Sequence, residues 1–201
     1  MARSKKRSST DKSVRHTAVV AGVESMFWKL AWDIQQFDNI QRNYPEDVEP
    51  LGYAAINVCI AAASLRNWTV SQYVEMKRAD GALIKEADVT THIYRYVTQQ
   101  VMCEAIANTA KHARFSEGKW TGGSVRIDFE EPSEDDPGGL ILRHLHDNGA
   151  MPSIALNAFM SLETNWWGEL QNLGFAFSRS PPGWRQREIR KIFGHIEVPM
   201  P

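Results

Sequence analysis

Asn108, Lys111 and His112 carry the groups best placed for chemistry in this sequence. An imidazole titrates near neutrality and can move a proton at physiological pH. Asn108 and His112 lie one helical turn apart, and Lys111 is three residues from Asn108. At that spacing the three side chains project from neighbouring spots on one surface. Arg114, two residues further on, adds a guanidinium. Asn108, Lys111, His112 and Arg114 are therefore the candidate ligand-binding set, suited to a phosphate, a nucleotide or a partner chain. His112 is the one candidate for catalysis. The same residues also fit an ordinary helix end, with His112 bonding the last carbonyls and Asn108 pairing with a neighbouring backbone.

Other constellations are weaker. His144 and His146 alternate along a predicted strand and face one side, but zinc needs three or four ligands and no nearby spacing supplies the rest. No metal is expected. Arg190-Lys-Ile-Phe-Gly-His195 repeats an Arg-to-His spacing but contains a glycine and lies outside the predicted bundle. Gly122-Gly123 lacks the lysine and the following helix of a phosphate-binding loop. No serine or cysteine nucleophile has a recognisable partner. Cys59 and Cys103 sit inside apolar helical pattern as small hydrophobes, so a reducing cytoplasm is the default location, with no cofactor.

The candidate residues need a helix beneath them. Residues 100–115 supply good helix formers without Gly or Pro, with Val101, Ala105, Asn108 and His112 as one stripe and Met102, Ile106 and Thr109 beside it. Before it, residues 19–43 place Val23, Phe27, Leu30, Ala31, Ile34 and Phe37 at helical spacing. Residues 48–78 predict a second long helix, with Pro50 in its first turn and a bend or break at Thr69-Val70. Residues 82–97 predict a short helix capped by Asp88 or Thr90 and carrying Ile93 and Val97. Ser124-Val-Arg-Ile-Asp-Phe129 alternates as a strand does, and Leu140-Ile-Leu-Arg-His-Leu-His146 reads as its partner. Met151-Pro152-Ser153 then opens a last helix to about Leu173, with Gly174 as its C-cap. An isolated hairpin is marginal in water, so this one must lie on the helices.

The expected fold is mainly α: an up-and-down bundle of about four helices with a β-hairpin, about residues 123–147, inserted before the last core helix. In a chain of 201 residues this leaves a disordered basic arm (1–17), the bundle (18–175) and a basic C-terminal extension (176–201). Net charge is −1, yet Arg3, Lys5, Lys6 and Arg7 crowd one end and Arg185, Arg187, Arg190 and Lys191 the other. Basic ends hold nucleic acid electrostatically, and short basic tails also simply solubilise. The longest apolar run, residues 54–65, is interrupted by Asn57 and Ser64 and too short to span a bilayer, so no membrane is expected.

At Glu104-Ala-Ile-Ala-Asn-Thr-Ala-Lys-His112 the chain resembles the HEPN superfamily of small helical-bundle proteins, which includes many prokaryotic toxin–antitoxin and phage-defence ribonucleases. It is similar in particular to an uncharacterised bacterial branch with an Ala-Asn-x-x-Lys-His signature and an earlier Leu-x-x-Trp step, as in Leu65-Arg-Asn-Trp68 here. The hairpin and a closing helix with an aromatic pair, Trp166-Trp167, follow in the same order, so the resemblance covers about residues 20–174. It implies a homodimer. In active members an Arg and a His from two paired protomers meet in a cleft and cleave RNA without metal. His112 matches that His and Asn108 the polar position, but the Arg position is Ala107. Lys111 lacks the planar fork of a guanidinium. The resemblance therefore points to a non-catalytic binding or regulatory module of a bacterium or mobile element, taking RNA, a nucleotide or a protein partner. The alternatives are a metal-independent endoribonuclease in which Arg114 or Arg66 fills the missing role, and a purely structural subunit.

Overall fold

The computed structural model describes residues 19–44, 46–112, 124–135, 138–146, 149–177 and 181–187. The arm 1–17, Arg114, the segment 190–195 and the side chain of His146 lie outside the described residues. The elements in chain order are α1 (Val23–Asn43), α2 (Val48–Ala79), α3 (Glu86–Tyr96), α4 (Gln100–Lys111), β1 (Ser124–Glu130), β2 (Gly139–His146), β3 (Gly149–Ile154) and α5 (Ala155–Asn172).

The fold is a mainly helical bundle with a β-hairpin before its last helix. α1 and α5 run antiparallel, because Phe37 meets Phe159 edge-on at 5.2 Å while Phe27 lies 5.4 Å from Trp167. α2 and α4 also run antiparallel: the Gln100 amide reaches the Ala62 carbonyl, and Cys103 touches Cys59. Val97, Thr98 and Gln99 interrupt the rod that α3 and α4 would otherwise make, so the pair together lines the much longer α2. Leu30, Phe37, Leu51, Leu65, Ile93, Phe159, Leu162 and Trp166 fill the centre. Ala55, Ala62 and Ala107, all inaccessible, keep the α2–α4 contact thin.

α2 passes unbroken through Thr69-Val70, contrary to the expected bend. The Thr69 hydroxyl is buried and donates to the Leu65 carbonyl at 2.8 Å, one turn back, which satisfies it without opening the helix. α2 and α5 end in the same way. Gly81 (φ +83°) and Gly174 (φ +82°) take the left-handed conformation, while Ala82 donates to Lys77 and Phe175 to Leu170, closing both last turns. α2 is also long and apolar enough to cross a membrane, and half of its most apolar window is buried inside the bundle.

Two boundaries differ from expectation near the candidate residues. α4 stops at Lys111 rather than near Arg114, and His112 is its C-cap with extended backbone (ψ 117°). Residues 151–153 form β3 rather than opening α5, which turns the expected hairpin into a three-stranded antiparallel sheet in the order β1-β2-β3. Pro152, opposite Arg143, is tolerated because among the described residues β3 is an edge strand, with ladder bonds to β2 alone. α3 starts after Lys85, so Asp88 lies in its first turn instead of capping it.

The sheet is fastened by its helix-facing side. Leu140 and Leu142 of β2 are buried, with Phe129 and Ile127 as their cross-strand partners on the same face. The other face carries Arg126, Asp128, Glu130 and Arg143: Asp128 pairs with Arg126 at 2.8 Å and Arg143 at 2.9 Å, and Arg143 also pairs with Glu130.

Candidate functional site

α4 turns a different side to the core from the one its apolar spacing suggests. Gln100, Cys103, Glu104, Ile106 and Ala107 are buried, whereas Val101, Met102, Ala105 and Asn108 are half-buried on the flank. The polar pair goes inward because its hydrogen bonds are all made. The Glu104 carboxylate accepts from Arg66 Nε (2.9 Å) and Nη2 (2.6 Å), from the Tyr94 hydroxyl (2.8 Å) and from Gln100 Nε2 (2.7 Å). Gln100 Oε1 accepts from the Trp166 indole at 2.9 Å, and its nitrogen also reaches the Ala62 carbonyl at 3.2 Å. One carboxylate and one amide thus tie α2, α3, α4 and α5 together. A buried charge is tolerable only with this degree of satisfaction.

This network fixes the place of Arg66. Its guanidinium is held in a two-point grip by Glu104 on the α4 turn two rungs before Lys111, about 10 Å along the axis at ~1.5 Å per residue. The other three sequence candidates sit at the end of α4: Asn108 is half-buried, and Lys111 and His112 are exposed. The His112 backbone N–H donates to the Asn108 carbonyl at 3.1 Å, so the two are one closing turn of helix. Among the described residues Lys111 makes no ion pair. The Lys111 ammonium stands at the negative end of the α4 dipole, a favourable place for a cation. His144 faces the same side of β2 as Leu140 and Leu142, opposite Val125. No group of three or more metal-ligating side chains is present among the described residues.

Three further carboxylates are shifted upward by burial. Asp33 is raised by desolvation, against the pull of Lys29. Glu163 is raised by desolvation, against Arg185, whose Nη2 lies 2.7 Å away. Glu169, only 2 % exposed, is raised by desolvation against His92, whose Nε2 stands 2.9 Å from its Oε1. The Cys59 thiol is pushed well up, first by its hydrogen bond with Cys103 and then by burial, which makes it an unreactive pair. Sequence reading missed Glu104, Gln100, Tyr94, His92 and Glu169. A sequence marks burial through apolar side chains, and these are polar residues buried by virtue of partners distant in the chain. The one available signal was Gln100 and Glu104 themselves, one turn apart in an otherwise apolar helix.

The described part of the C-terminal extension packs on the bundle. Phe177 stacks 4.6 Å from Trp167, Trp184 meets Trp32 at 5.1 Å, and Arg185 grips Glu163 on α5. Comparison with protein-family models, curated proteins and solved structures finds no match to this chain.

Proposed function

We propose that this protein is a non-catalytic, HEPN-like binding module that takes single-stranded RNA at the exposed end of α4, through Lys111 and His112 with Asn108 behind them. The observation that carries this reading is the assignment of Arg66: of the two guanidiniums considered for a cleavage pair with His112, this one is already committed to Glu104. RNA cleavage by an imidazole needs a guanidinium on the phosphate to hold the charge that develops during 2′-hydroxyl attack. What is left at the end of α4 is an exposed ammonium beside an exposed imidazole, a pair suited to phosphate contact. The module works in the cytoplasm as a homodimer, which sets two α4 ends on one assembly, and the basic residues at the chain ends add sequence-independent affinity.

Labelled RNA incubated with the protein in excess chelator separates the readings. The expected result is intact RNA with a retarded band in native gels, the band weakened by Lys111→Ala and His112→Ala. Cleavage that disappears in His112→Ala would overturn the proposal in favour of a metal-independent endoribonuclease. If RNA is neither retarded nor cut, the α4 end is not an RNA site.

A further inference from the structure

A second place on the molecule has the makings of a ligand site, independent of the α4 end. The last turns of α2, the start of α3 and the end of α5 enclose a cleft of about 270 Å³. Tyr73, Ile84, Val89 and Leu173 form its apolar wall, and Asp88 and His92, one turn apart on α3, are its polar groups. Leu83, 98 % exposed, stands at the rim.

The hydrogen-bonding character of the cleft follows from what lies behind His92. Glu169 is buried on α5, with its carboxylate 2.9 Å from His92 Nε2. With Nε2 turned to that carboxylate, a neutral imidazole that keeps its proton on Nε2 leaves Nδ1 as an acceptor. The Tyr96 ring packs 4.7 Å from the imidazole and steadies it. Asp88 is a second acceptor, and among the described residues its carboxylate makes no ion pair. Both polar groups of the cleft therefore ask for a donor.

Charge points the same way. Asp88 contributes an exposed carboxylate, and α5 ends at Asn172, next to Leu173 of the wall, which brings the negative end of its dipole to the cleft. The Tyr73 ring already accepts an ammonium, that of Lys77, at 5.3 Å from its centroid. The volume falls just below the usual range of ligand cavities, about 300 to 1,000 Å³. It has room for little more than one ring with a short arm.

We infer that the α2–α3–α5 cleft binds a small organic amine, its ammonium between Asp88 and His92 and its apolar body against Tyr73, Ile84, Val89 and Leu173. The buried Glu169 acts as a positioning residue: it holds the imidazole in the tautomer that presents an acceptor.

Three probes of one shape and different charge test this: phenethylamine, phenethyl alcohol and phenylacetate, each titrated into the full-length protein while His92 and the Ile84 and Val89 methyl groups are followed by NMR. The amine is expected to saturate in the millimolar range, as a ligand of so few atoms should, with the alcohol about ten-fold weaker and the acid not binding. Asp88→Asn, at an exposed position, should weaken the amine by about ten-fold and leave the alcohol unchanged. Ile84→Trp, which fills the half-exposed wall, should abolish binding of all three. Lys111→Ala should change none of them. Equal affinity for amine and alcohol, persistence of the shifts in Ile84→Trp, or shifts that never saturate would each overturn the inference.

Discussion

Removing the Arg66 guanidinium is the sharpest test of how this bundle is held together. Arg66→Met keeps the length and most of the apolar stem, but it withdraws two of the four hydrogen bonds on the Glu104 carboxylate. That carboxylate is left 10 % exposed, with only Tyr94 and Gln100 as donors. Breaking one side of a buried pair costs roughly 3–5 kcal/mol. Arg66 keeps 24 % of its own side-chain surface in water, so the lower end, about 3 kcal/mol, is expected. For a chain of this size that is a fall of roughly 6–12 °C in melting temperature. Adding Glu104→Met to Arg66→Met removes the stranded charge and should recover about 2 kcal/mol of the loss, a coupling visible in a double-mutant cycle by chemical denaturation. The reasoning is refuted if Arg66→Met costs less than about 1 kcal/mol, or if the two changes simply add.

Other consequences are as direct. Trp166→Phe deletes the indole N–H that Gln100 Oε1 accepts from in the buried centre and should cost about 1–3 kcal/mol beyond the lost ring area, read by urea denaturation. Gly174→Ala forces a side chain into φ +82° at the end of α5 and should destabilise by about 1 kcal/mol, whereas Gly168→Ala, on the same helix with open space at its Cβ, should be neutral or stabilising. Glu169 gives a pH signature. Its carboxyl is raised by burial, so the stability it contributes is full below the ordinary glutamate value of 4.5 and is lost as pH rises through the raised one. Glu169→Gln should therefore melt above the parent protein at pH 7, with the gap closing as the pH falls towards that ordinary value.

Much of the scaffold could be read from residue order. The apolar spacing of Val23, Phe27, Leu30, Ile34 and Phe37 is the buried face of α1, because a surface helix has one apolar stripe and little else decides its orientation. Residues 124–129 and 140–146 are the strands β1 and β2, while Leu140-Ile-Leu142 is apolar on both faces, so only the fold shows that Leu140 and Leu142 point inward. α4 was harder. Its apolar spacing points to Val101, Ala105, Asn108 and His112, but the core side runs through Gln100, Cys103, Glu104 and Ala107. Periodicity counts a glutamate as outward, and nothing local announces that Arg66, Tyr94 and Trp166 will meet it from three other helices. Residues 151–153 misled in another way: Met-Pro-Ser has the chemistry of a helix start, and only pairing with β2 makes it an edge strand. The same distance in sequence hides the cleft, since Tyr73, His92 and Glu169 belong to three separate helices.

The candidate residues at the end of α4 were legible as a set because they are adjacent in sequence, and adjacency also limits what they say. Helix ends commonly carry Lys and His for their dipole alone. An effect on RNA, distinct from an effect on melting, is what separates a site from a cap.

Fluorescence anisotropy of labelled single-stranded RNA, titrated at several salt concentrations, makes that separation most directly when the parent protein is compared with Lys111→Ala/His112→Ala. Both positions are exposed, so the double variant should fold as the parent does. The account predicts weaker binding and a log affinity against log salt slope shallower by about one, the signature of a lost phosphate contact. Unchanged affinity and slope in the double variant would contradict it.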